Sequence, residues 1–324
     1  MSSLPEMLRC ACSIVILACA CSGRGNESPV RDPAPPVVAA APSSPGERPA
    51  ISNPEPAEVA ARQRAYDAHV AALRERLAAA DHGDLAIRVE EPFVVLGDDG
   101  DAALERRART VRWAVEHLER DFFERRPARI LDVYLFGNAR SYQRGVRALT
   151  GSAPTTPYGF YSSEHGGLFM NIATGGGTLV HEIVHPYVEA DFPEAPAWLN
   201  EGLGSLFEQS SERGGHIVGE TNWRLAGLQD AIREGTVPSF RALTKMDEHA
   251  FYVKDRGTNY AQARYLLYYL QEEGKLRDFY RAFRAARATD PTGYDTLVAA
   301  LGERDMAAFQ RRWEAWVLTL RFDG

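Results

Sequence analysis

Apolar positions along this chain keep two different periods, and the change from one to the other outlines the fold. Val59, Tyr66, Val70, Leu73 and Leu77 follow at spacings of seven, four, three and four. That puts them on one helical face and predicts a helix from about Ala57 to Ala80. Leu104, Ala108, Val111, Val115, Leu118 and Phe122 do the same for Asp101 to Phe122. Short unbroken apolar runs lie around them: "PFVVLGDDG" reads as a strand and turn, and "ILDVYLF", Ile130 to Phe136, as a strand. A helix is expected from Ala139 to Leu149. "YGFYSSEHGGLFMNIA" predicts a hairpin in which Tyr158–Ser162 pairs with Leu168–Ile172, with Gly166 and Gly167 as its turn. "TGGGT" leads into a helix around "HEIVH". Beyond Ala195 the pattern is mainly helical: Pro196–Gln209, Trp223–Arg233, Asn259–Glu273, Leu276–Arg287 and Asp305–Leu320, the last with Trp313 and Trp316 facing a core. The fold class expected is α+β: a small mixed sheet in an N-terminal lobe, a helical C-terminal lobe, the HEIVH helix between them and a cleft at the junction.

The first 56 residues keep neither period. Cys10 to Ala20 is an apolar run of signal-peptide length behind Arg9, and small residues follow it. It is too short to span a bilayer, so residues 1–21 read as an export signal rather than a membrane or core helix. Residues 22–56 carry nine prolines among Ala, Ser and Gly and read as a flexible tether, which leaves 57–324 as the folded domain. All four cysteines, Cys10, Cys12, Cys19 and Cys21, sit in the export segment. The folded part therefore has no disulfide and no thiolate metal site. A net charge of -7 gives no electrostatic footprint for nucleic acid.

"TLVHEIVHPYVEADFPEAPAWLNEGLGSLFE" (Thr178 to Glu208) carries the candidate chemistry. His181 and His185 are one helical turn apart and project from the same face, where two imidazoles can hold one Zn²⁺. Glu182 lies about 100° round the helix from His181, beside such an ion rather than on it, and is placed to take and return a proton. A catalytic zinc needs a third protein ligand and an open position for water. Glu201, in a second helix that Pro196 would start, is the candidate once the chain reverses between Ala190 and Pro196. Pro186 directly after His185 removes a helical N–H and either ends or kinks the first helix.

"HEIVH" followed by "WLNEGLGSLFE" resembles the gluzincin metallopeptidases, especially the M1 aminopeptidase group and the smaller peptidase MA-like domains. The resemblance implies a zincin fold, with His181, His185 and Glu201 as zinc ligands and Glu182 as general base. It covers about thirty residues. The spacing from His185 to Glu201 is a little shorter than in the M1 group. The G-x-M-E-N strand by which those aminopeptidases hold a substrate's amino terminus is matched only by "GLFMN", Gly167 to Asn171, which lacks the glutamate. Internal cleavage of a peptide or protein is therefore expected, with the substrate pairing along Leu168–Ile172 as an edge strand. "ILAC" separately resembles the lipobox of bacterial lipoproteins, with Cys19 as the lipidated residue and Cys21 competing. That implies an envelope protein on a lipid anchor, or a periplasmic or secreted one if the signal is simply cleaved.

Tyr260, in the helical half, is a candidate for stabilising the oxyanion, against the commoner role of core packing. Glu208 is either an acceptor behind a ligand imidazole or a solvated helix-face residue. His165 and His216 are expected near turns at the surface, and His69, His117 and His249 at ordinary helix or loop positions. The alternative function is a catalytically inactive zincin-fold protein that binds or scaffolds in the envelope.

Overall fold

The computed structural model describes residues 55–80, 82, 84–253 and 257–322, so the expected export segment and most of the tether lie outside the described residues. Strand β2 (Phe93–Gly97) explains its own unbroken apolar run: Phe93 and Val95 face one side of the sheet, Val94 and Leu96 the other, and all four are fully buried. It lies in a five-stranded mixed sheet with β1 (Ala86–Glu90), β3 (Leu131–Phe136), β4 (Gly159–Ser162) and β5 (Gly167–Asn171), in the order β1-β2-β3-β5-β4. The central three strands are parallel, and β1 and β4 run antiparallel to their neighbours at the two edges.

Helices cover both faces. On one, α1 (Pro56–Ala79) and α3 (Ala139–Thr150) pack on Val94, Leu96, Tyr134, Phe136 and Phe169. The Arg76 guanidinium of α1 donates to buried Asp132 of β3 at 2.6 Å, and His69 Nε2 lies 2.7 Å from the same carboxylate. The other face carries α2 (Asp101–Asp121) and α4 (Gly177–Asp191). Beyond α4 come α5 (Ala197–Phe207), α6 (Arg224–Arg233), α7 (Phe240–Thr244), α8 (Glu248–Val253), α9 (Thr258–Glu272), α10 (Leu276–Ala286), α11 (Tyr294–Leu301) and α12 (Met306–Val317). Trp313 is buried in this lobe and Trp316 packs edge-on against Tyr269. The protein is thus α+β with a small mixed sheet. Among the described residues no helix is long and apolar enough to cross a membrane.

Asp191, at the end of α4, joins the sheet half to the helical half. Its buried carboxylate accepts from the backbone of Glu124 and Arg125 after α2, and from Tyr280 (2.9 Å) and Arg284 (2.6 Å) of α10.

Several expectations are corrected. Strand β1 was absent from the reading of the sequence, and so was the hairpin of β6 (Ser210–Arg213) and β7 (His216–Gly219), which interrupts the helical lobe. Gly167 is already in β5, so the turn lies before it, and Ile172 begins a single 3₁₀ turn. Strand β5 is not an edge: β3 and β4 flank it, and the free edge belongs to β4. Pro196 is the residue capping α5 rather than part of its first turn. Pro186 does not end α4, which continues to Asp191. Proline inside a helix costs about 3 kcal/mol. Packing past it offsets that cost: Tyr187 is fully buried, stacks on Phe123 and donates to Glu119 at 2.5 Å.

Candidate metal centre

α4 and α5 approach closely because two glycines let them. A Cβ on Gly177, at the start of α4, would meet the Glu208 carbonyl at 2.3 Å, and one on Gly204 of α5 would meet the His181 ring at 3.1 Å. The turn between the helices is closed by the Ala195 N–H donating to the Phe192 carbonyl, and Trp198 fixes the start of α5 by donating to the Thr292 carbonyl at 3.0 Å. This packing carries Glu201 back to the two histidines, all three being buried.

One ligand atom from each of His181, His185 and Glu201 lies within 4.8 Å of the other two. His181 Nε2 and Glu201 Oε2 are 3.3 Å apart. That matches the edge of a tetrahedron built on bonds of about 2.05 Å. The burial of these atoms makes the case sharper. His181 Nδ1 and Nε2, His185 Nε2, Glu201 Oε2 and both Glu182 oxygens are buried without a well-formed hydrogen bond among the described residues. A buried polar atom left unpaired costs about 1–3 kcal/mol, more if charged. Two imidazoles and a carboxylate are the donor set of a catalytic zinc with one position open. The residues present fit that ion.

The electrostatics divide the two carboxylates. Burial pushes Glu182 up from 4.5 to about 7; the His185 imidazole opposes this, Glu201 and Glu208 add to it, and the Tyr161 N–H of β4 works against it. Burial acts on Glu201 in the same direction, but His185, His181 and the Tyr252 hydroxyl outweigh it and hold its carboxyl below the usual range. Burial thus favours the neutral form of Glu182, while the surrounding donors favour the carboxylate of Glu201. His185 Nε2 lies 3.8 Å from Glu182 Oε2.

Two residues in contact with the ligands escaped the reading of the sequence. Asn200 Oδ1 lies 3.0 Å from His185 Nδ1, which fixes that ring's tautomer with Nε2 toward the centre. Its signal was its place in "NEG", beside the glutamate. Tyr252 of α8 donates to Glu201 Oε1 at 3.0 Å. No pattern marks it, because α8 is six residues long and far away in sequence.

The remaining candidates find other partners. Tyr260 is buried, its ring 6.2 Å from Tyr252 and 5.1 Å from Phe251. Glu208 accepts from Arg224 (3.2 Å) and Asn222 (3.3 Å) and from no imidazole. His216 pairs with Asp121 and buried His117 with Glu212, so both histidines fasten the β6–β7 hairpin to α2. His165 lies in the exposed turn after β4, 3.0 Å from Ser162 Oγ.

A family described as "Protein of unknown function (DUF1570)" matches residues 175–292, a stretch that holds His181, Glu182, His185, Asn200, Glu201, Tyr252 and Tyr260. The comparison with curated proteins returns no match.

Proposed function

We propose that this protein is a zinc-dependent metallopeptidase of the gluzincin type, with a zincin-like arrangement of sheet, α4 and α5. The observation that carries the reading is the convergence of three buried, otherwise unpaired donors of His181, His185 and Glu201 beside the carboxylate of Glu182. Zinc held there would supply Lewis acidity, polarising a substrate carbonyl and making a water nucleophilic near neutral pH.

The chain's own residues supply the rest. Glu182 accepts the proton of the attacking water and returns it to the departing amine, a role suited to a carboxyl raised to about 7. The free edge of β4 is the natural place for an extended substrate to add as a strand, because β4 packs against α4, the helix that carries His181, Glu182 and His185. Its position replaces the inner strand β5 as the substrate rail. A cleft of about 210 Å³ lined by Val146, Pro154, Phe160, Ser162 and His165 opens beside β4 on the α3 face of the sheet, and none of the metal-group residues lines it. Such a rail suits cleavage inside a chain. Export and a lipid anchor at Cys19 or Cys21 remain part of the proposal on the sequence alone, and place the activity in the cell envelope.

The test is hydrolysis of a mixed peptide library by the purified protein. Internal cuts that stop with a chelator and return with added zinc support the reading. Zinc-replete protein that cuts no peptide favours the binding or scaffolding alternative.

A further inference from the structure

Glu201 divides its two oxygens between different partners. Oε2 points at the His181 imidazole, 3.3 Å from Nε2, with no hydrogen bond among the described residues. Oε1 is taken by the Tyr252 hydroxyl at 3.0 Å. A carboxylate can bind an ion through one oxygen or both, and the difference decides whether a coordination position stays open for water and substrate. A hydroxyl already donating to Oε1 commits the group to the other oxygen.

The support behind Tyr252 is built to hold it there. Phe251, its neighbour on α8, is fully buried in the core. The start of α8 is capped by Asp247, whose Oδ1 accepts from Ala250 N–H at 2.7 Å. The far end is tied to α9 by Asn259 Nδ2 donating to the Phe251 carbonyl at 3.3 Å. The half-buried Tyr252 ring packs against Phe251 (5.4 Å between centroids) and Tyr260 (6.2 Å). Two χ angles locked by aromatic neighbours aim one hydroxyl at one oxygen.

We propose that Tyr252 is a positioning residue of the metal centre: by occupying Glu201 Oε1 it presets Glu201 as a single-oxygen ligand and keeps the fourth coordination position free. The assignment rests on the metal-centre reading above. It gives Tyr252 a role that acts through Glu201.

The test uses the full chain as wild type, Tyr252→Phe and Tyr260→Phe, stripped of metal and titrated with Zn²⁺ and, separately, Co²⁺. Tyr252→Phe keeps the ring and its packing, and the melting temperature of each metal-free protein checks this. The expected result is zinc affinity reduced about 10–100-fold in Tyr252→Phe, the usual effect of removing a group that orients a ligand. Its Co²⁺ visible bands should also weaken, because the freed Oε1 joins the ion and raises its coordination number. Tyr260→Phe should match wild type in both. Equal affinity and identical Co²⁺ spectra in wild type and Tyr252→Phe overturn the assignment. A wild type that binds neither ion overturns the metal-centre reading, and the assignment with it.

Discussion

Glu182→Gln is expected to abolish peptide hydrolysis while leaving the metal in place. Glutamine keeps the size of the side chain and its fit in a fully buried site, but it cannot accept the proton of the attacking water. Loss of a positioned general base costs about 10²–10⁴-fold in kcat. The substitution also removes a carboxylate that burial makes hard to ionise, so the metal-free variant should fold at least as well as wild type. Side-by-side zinc content and kcat separate a chemical from a structural effect. A variant that retains zinc and cuts peptides at the wild-type rate would remove Glu182 from the mechanism.

Asp191→Ala should produce the largest loss of stability. The carboxylate is fully buried and receives four donors from two segments, the one after α2 and α10. Deleting it strands Tyr280, part of the Arg284 guanidinium and two backbone N–H groups. Breaking a buried ion pair from one side costs about 3–5 kcal/mol, which for a domain of this size is a fall of roughly 10 °C in Tm. Asp191→Asn, which still accepts hydrogen bonds, should lose less. Thermal unfolding of the three proteins checks the order, and an unchanged Tm in Asp191→Ala would show that this carboxylate does not hold the two halves together.

The parts of the fold legible in the sequence are those whose burial is periodic. The α2 pattern is visible because one face of a surface helix packs on a sheet, and β2 and β3 are visible because strands covered on both sides become unbroken apolar runs. Strand β6 carries "SSER" on a half-exposed hairpin, so nothing apolar announces it, although Gly214-Gly215 marks its turn. The order of β4 and β5 in the sheet was not legible either, since a hairpin's sequence does not say which strand faces outward. His181, Glu182, His185 and Glu201 were readable because helical spacing and a short reversal place them. Tyr252 and Asp191 were not. Their partners lie 51 residues away in the first case and from 66 to 93 in the second, and only tertiary packing brings them together.

The central claim is that a metal ion sits among three side chains of α4 and α5, and the most direct measurement is anomalous X-ray scattering at the zinc edge from crystals grown with zinc. A single strong peak is expected within bonding distance of His181 Nε2, His185 Nε2 and Glu201 Oε2, and should be lost in Glu201→Ala. Zinc found elsewhere on the molecule, or no peak between the two helices, would contradict it.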